Sequence, residues 1–134
     1  MSEKPSPKRY DLEERTEAFA KRVGGFVERL QKTMSNLEYG KQLIRSSGSI
    51  GANYIEANEA LGKKDFLMRI KICRKGAKES GYWLRLTQCN EATEAERAAL
   101  IQESTELMKI FWRNLDQIAV EPVLLFRFSH FEFF

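Results

Sequence analysis

Proline is nearly missing from this chain of 134 residues: Pro5, Pro7 and Pro122 all stand near the ends, and glycine occurs 8 times. Nothing therefore breaks the region from about 10 to 120. That scarcity favours long helices over a strand-rich fold. No apolar run approaches the roughly 18 residues that cross a membrane. The first residues, MSEKPSPKRY, are polar, unlike the apolar segment of a signal peptide. Cysteine occurs only as Cys73 and Cys89. Placed on one helix, these would lie about 24 Å apart at 1.5 Å per residue, too far to pair. A reduced, cytoplasmic setting is expected.

Chemistry-bearing patterns are equally scarce. Cys-x-x-Cys, His-Glu-x-x-His and Glu-x-x-His spacings do not occur, so no metal site is expected. Neither a Gly-x-Gly-x-x-Gly nor a P-loop occurs, and Gly24-Gly25 and Gly48-Ser49-Ile50-Gly51 lack a preceding strand. His130 is the one histidine, which leaves little from which to build a nucleophile–base pair. The expectation is a protein without enzyme activity, cofactor or catalytic residue.

What is present is helical periodicity, in a chain that is 43% hydrophobic and 31% charged, ordinary values for one soluble domain. Asp11 and Glu14 form a capping-box pattern, and Leu12, Phe19, Val23, Phe26 and Leu30 share one face of a helix over about 11–33. Ser35 and Glu38 repeat the pattern and open a second helix. Leu43, Ser47, Ile50, Tyr54, Ala57 and Leu61 then follow at spacings of 4, 3, 4, 3 and 4, straight through the slim stretch IRSSGSIGANYIEANEA. Two glycines in a helix cost about 1 kcal/mol each relative to alanine, so close approach of another backbone is the expected compensation. A loop before a shorter helix is the alternative.

A third helix runs from Lys63-Lys64-Asp65 to about 90, with Phe66, Ile70, Cys73, Ala77 and Leu84 as its core face. Thr93 and Glu96 open a fourth, about 93–119, carrying Ile101, Met108, Phe111, Trp112, Leu115 and Ile118. The fold class expected is all-α, an antiparallel up-down four-helix bundle. It would occupy residues 1–119, with a short polar N-terminal extension. The aromatic tail, 120–134, is expected either to dock, as a short strand or draped over an apolar surface and with a subunit boundary as one place for it, or to be disordered.

Net charge is only +3, but its distribution is uneven. Residues 63–85 hold eight Lys/Arg against two acids, a net of +6, whereas residues 91–118 hold three against six, a net of −3. Lys71, Arg74, Lys75, Lys78 and Arg85 cluster within about a third of the third helix's circumference. Such a stripe suits sequence-independent binding of phosphates; a solvated face, or one paired with acids of the fourth helix, is the equal alternative. Met68, Ile72, Trp83 and Leu86 form a second apolar face that calls for a partner or a covering loop. Arg45, Ser49, Asn53 and Glu56 run along one edge of the second helix. They read as a structural polar network rather than a pocket, because one arginine and one carboxylate without a base or metal ligand describe no reaction.

The segments YGKQLIRSSGSIGANYIEA and KKDFLMRIKICRKGAKESGYWLRL resemble the 23S rRNA-intervening sequence protein family of four-helix bundles. The matching features are Tyr39-Gly40, Gln42-Leu43, Arg45, Ser49-Ile50, Asn53, Glu56, Lys64, Asp65, Phe66, Glu79 and the Tyr82-Trp83-Leu84 run. The resemblance implies an up-down bundle assembling as a homopentamer, without known enzyme activity. A related branch, the accessory proteins of diversity-generating retroelements, forms a pentameric ring that binds its reverse transcriptase and nucleic acid. Gly62, where many members have a serine cap, and the aromatic tail depart from the pattern. The function expected is a non-enzymatic, ring-forming bundle binding RNA or DNA through the third helix. The alternative is a protein-interaction or assembly module, including an accessory subunit of a reverse transcriptase. On the ring reading, Met68, Ile72, Trp83 and Leu86 would lie in the subunit interface.

Overall fold

The computed structural model describes residues 9–118, with side chains from 12 to 116. Four helices make up the described chain: α1 (Arg9–Arg29), α2 (Met34–Asn58), α3 (Lys63–Leu86) and α4 (Glu91–Ile118). The slim stretch is helical as far as Asn58. The N-terminal extension and the aromatic tail with His130 lie outside the described residues.

Each helix packs on the next, and α4 returns to α1. Cross-helix contacts show that these neighbours run antiparallel. Ser46 meets Ser80 at 3.0 Å while Asn53 meets Arg69 at 3.0 Å, so partner numbers fall on α3 as they rise on α2. Arg15 likewise reaches Glu103 and Arg29 reaches Glu96. Short connections leave neighbouring helices no other course.

Helix ends depart from the expected caps. Thr33, not Ser35, caps α2, its side chain accepting the Asn36 N–H at 3.1 Å. Asn90, not Thr93, serves α4, its side-chain oxygen accepting the Thr93 N–H at 3.1 Å. In both cases a good capping residue stands two or three positions upstream and captures the start. Asp11 sits inside α1, which already runs from Arg9 and stops at Arg29, short of 33. Because α3 ends at Leu86, Cys89 lies in the connection rather than on the helix with Cys73; both thiols are free. Leu61 falls beyond α2 and is fully exposed.

Leu12, Phe19, Val23, Phe26 and Leu30 of α1 are buried, as are Leu43, Ser47, Ile50, Tyr54 and Ala57 of α2. On α3, Ile70, Cys73, Ala77 and Leu84 join them, with Phe66 half-buried. The core stripe of α4 is Leu100, Ser104, Leu107, Phe111 and Leu115. Relative to the expected face it is rotated, leaving Trp112 exposed and Ile101 and Met108 at the margin. The bulkiest apolar side chains of α4 do not all face inward, and Leu100 and Leu107 hold the 4-and-3 spacing through Ser104.

Small residues set the distance between α2 and α3. A Cβ on Gly76 would stand 2.8 Å from Ser49 Oγ, 3.0 Å from Ile50 Cγ1 and 3.2 Å from the Ser46 carbonyl oxygen. In the slim stretch, a Cβ on Gly51 would stand 3.0 Å from Thr16 Oγ1 of α1, whereas one on Gly48 would meet nothing within 4 Å. Only one of those two glycines is therefore explained by packing within the chain. At the end of the bundle, Asn36 is 3% exposed and ties two connections together. Its Nδ2 donates to the Gln31 and Gln88 carbonyls at 2.9 and 3.0 Å, and its Oδ1 accepts the Gln88 N–H at 2.9 Å.

Gly76→Ala is expected to destabilise the bundle by about 1–2 kcal/mol, overpacking outweighing the gain in helix propensity. Gly24→Ala, where a Cβ meets nothing within 4 Å, should instead stabilise it by up to about 1 kcal/mol. Urea or thermal unfolding of the two variants checks the opposite signs.

Candidate nucleic-acid interface

The outer side of α3 borders a cleft of about 910 Å³ against α4. Its lining comprises Met68, Lys71, Ile72, Arg74, Lys75 and Lys78 from α3, with Met108, Lys109, Trp112 and Arg113 from α4. Six of these ten side chains are cationic and none carries a carboxylate. The Arg74 guanidinium carbon stands 4.6 Å from the Trp112 ring centroid, a cation–π contact across the cleft.

Four of the five basic residues singled out from sequence, Lys71, Arg74, Lys75 and Lys78, therefore line one concavity. Arg85 does not; its guanidinium lies back over Gly81, where a Cβ would meet Nη1 at 3.3 Å. Lys109 and Arg113 were missed because they belong to a segment of net negative charge. Their spacing around Trp112, at i, i+3 and i+4, was the available signal.

Four acids of α4 are engaged by arginines that do not line the cleft. Glu103 takes two hydrogen bonds from Arg15 of α1, at 2.7 and 2.8 Å, and Glu106 takes a third at 2.9 Å. Hydrogen bonds from Gln102 and Arg15 hold the Glu106 carboxyl below its usual range. Glu96 pairs with Arg29 of α1, and Glu94 with Arg97 on its own helix at 2.7 Å. Glu96, Glu103 and Glu106 thus tie α4 to α1, while Lys109 and Arg113 border the cleft with α3.

The expected polar edge of α2 is only partly joined up. Ser49 donates to the Ser46 carbonyl at 2.7 Å, and Asn53 donates to the Ser49 carbonyl at 2.9 Å. Asn53 Oδ1 accepts from Arg69 of α3, a partner outside the expected set. Arg45 and Glu56 are exposed and make no side-chain hydrogen bond among the described residues. Of the expected second apolar face, Met68 is 53% exposed and, with Ile72, borders the cleft. Trp83 instead rests on Tyr39 of α2, ring centroids 6.2 Å apart, and touches Tyr82 at 5.0 Å. Leu86 is half-buried.

Reactive groups are few. Among the described residues no cluster of His, Cys, Asp and Glu could hold a metal ion. Burial pushes the Cys73 thiol up to about 12, and its Sγ donates to the Ile50 carbonyl at 3.3 Å. A thiol so held is a core group rather than a nucleophile. No helix among the described residues is long and apolar enough to cross a membrane.

Fold and cleft together define a class, a four-helix bundle carrying a cationic groove between two neighbouring helices. Residues 8–113 match the model of the 23S rRNA-intervening sequence proteins, and the chain belongs to that family. The chain is also similar to a solved structure from Bacteroides thetaiotaomicron VPI-5482, a protein of unknown function from the S23 ribosomal protein family. The two are 29% identical with a TM-score of 0.71, over 81% of this chain and 97% of the other. No curated protein matches the chain.

The two thiols should differ sharply in reactivity. At mildly alkaline pH, Cys89 is expected to alkylate roughly tenfold or more faster than Cys73, because the thiolate is the attacking form. Cys73 stays protonated in the fold but ionises in the unfolded chain, so its contribution to stability is complete below about 9 and is lost as pH rises towards about 12. Mass-spectrometric alkylation rates check the first expectation, and urea unfolding of Cys73→Ser against the parent over pH 7 to 10 checks the second; the two curves should converge as pH rises.

Proposed function

We propose that this protein is a non-enzymatic, ring-forming bundle of the cytoplasm that binds nucleic acid through the α3–α4 cleft. One observation carries the proposal: six cationic side chains surround one concavity while four carboxylates of α4 are held by Arg15, Arg29 and Arg97. Concentrated positive charge at a groove attracts a polyanion and releases its counterions. Lys71, Arg74, Lys75 and Lys78 would supply the contacts from α3, and Lys109 and Arg113 those from α4. Arg85 stands outside the cleft and would act at longer range.

Self-assembly is favoured by a separate feature. Leu37, Ile44 and Ile55 are each about half exposed on the outward side of α2, and the small residues Gly48 and Ala52 lie between the two isoleucines. Beside this ridge runs a groove lined by Val27, Leu30 and Gly40 among others. A closed ring needs two unlike faces on each subunit. The ridge would be one and the Trp83–Leu86 end of α3 the other; Met68 and Ile72, expected from the sequence to join it, border the cleft instead. The homopentamer that the family resemblance implies is the assembly proposed.

Fluorescence anisotropy with short RNA and DNA should show binding that weakens steeply with salt. Lys71→Glu, Lys75→Glu and Lys78→Glu combined should abolish it. Each single reversal should flatten the log–log salt slope by about 0.7–0.9 for every phosphate it ceases to neutralise. Salt-insensitive binding, or binding indifferent to the reversals, would sink the proposal. Sedimentation should give about five times the 15.6 kDa chain mass, and Ile44→Glu should return monomers.

A further inference from the structure

Trp112 is the least expected member of the cleft. It is 43% exposed on a helix whose other aromatic, Phe111, is fully buried. An exposed indole grouped with Met68, Ile72 and Met108 in one concavity marks a contact surface more than a lone apolar side chain would. Arg74 lies over its ring, and Met68 and Met108 border the same concavity. The arrangement presents an indole, partly held by a guanidinium, within a circle of lysines and arginines.

Resting on the nucleic-acid reading, we infer that the cleft takes a single strand, with a base stacked against Trp112 and its flanking phosphates on the surrounding lysines. A duplex offers phosphates to a basic surface but keeps its base faces within the helical stack. A single strand offers both groups at once, and an aromatic side chain beside cations is what binds it without sequence preference. A cleft of about 910 Å³ is near the upper end of the roughly 300–1,000 Å³ that accommodates small organic ligands, so a nucleoside fits within it. An acidic peptide offers carboxylates to the cations but brings no obligatory flat ring to Trp112. Stacking is equally available to RNA and DNA, since every base has a π-face; any preference between them would come from the sugar.

The chain has only two tryptophans, Trp83 and Trp112. Trp83→Phe therefore makes Trp112 the sole indole reporter in an otherwise complete protein. Titration with oligouridylate and with oligodeoxythymidylate should quench its emission. A duplex of similar charge should bind by anisotropy with little quenching. Trp112→Leu should weaken single-strand binding roughly tenfold, within the range that base stacking supplies, with duplex binding and the salt slope unchanged. Trp112→Phe, which keeps a π-face, should bind single strands close to the parent. Its helical circular dichroism and that of the leucine variant should match the parent, since the position is half exposed.

Unaltered single-strand binding by Trp112→Leu, or an emission that does not respond, would overturn the inference. In that event, loss of binding in the lysine reversals would leave the nucleic-acid reading standing. Failure of every nucleic acid to bind would end both. Polyglutamate quenching Trp112 and competing as well as oligouridylate would overturn the single-strand site in favour of an acidic partner. A quench that follows protein concentration alone would assign the cleft to a second copy of the chain.

Discussion

The contact between α2 and α3 is the constraint on which the other features rest. At Gly76 the two helices come so close that a single Cβ would touch both a side chain and a backbone carbonyl of α2. Ser46 and Ser80 exchange a hydrogen bond beside it, and Cys73 donates to the Ile50 carbonyl a turn away. Fixing α3 this tightly through one flank leaves its opposite flank to be met by α4. The rotation of α3 that places Gly76 against α2 also turns Lys71, Lys75 and Lys78 outward. Packing and charge presentation are thus two consequences of one helix orientation.

Charge sorting on α4 follows the same geometry. A helix between two neighbours can present a different chemistry to each, because residues three and four apart share a side. Glu96, Glu103 and Glu106 meet arginines of α1, and at Arg15–Glu103 paired hydrogen bonds make a partly buried contact worth more than a solvent-exposed pair. Lys109 and Arg113 border the cleft with α3. A net charge for the whole helix averages these two faces, which explains why it concealed both the satisfied acids and the extra cations.

That averaging marks the boundary of what the sequence disclosed. Four helices, their order and most of the core were legible, because Phe19, Val23, Phe26, Leu43, Ile50 and Ile70 repeat at helical spacing and proline is confined to the ends. Helix starts were less so: Thr33 and Asn90 compete with residues that also match a capping box, and local pattern does not rank them. Four of the six cleft cations were visible as a stripe on one helix. The other two depend on which side of α4 turns towards α3, a tertiary fact. Asn36 was missed for a related reason, since its hydrogen bonds go to a connection 52 positions away.

The exposed ridge of α2 and the cleft of α3–α4 also make different demands on an assembly. A ridge of half-exposed isoleucine and leucine gains by burial against a second copy, whereas a cationic groove is weakened if a like-charged neighbour covers it. A ring that engaged the α2 ridge with the Trp83–Leu86 end of α3, away from Met68 and Ile72, would keep the groove open once in every subunit. Short strands in a single cleft would be held weakly, by a few phosphates and one stacked base. A strand long enough to span adjacent clefts is held at high effective concentration, and its affinity rises without any new kind of contact. In such an assembly the half-exposed residues of α2 and the cations of the cleft would act together, burial of the first bringing several of the second onto one strand.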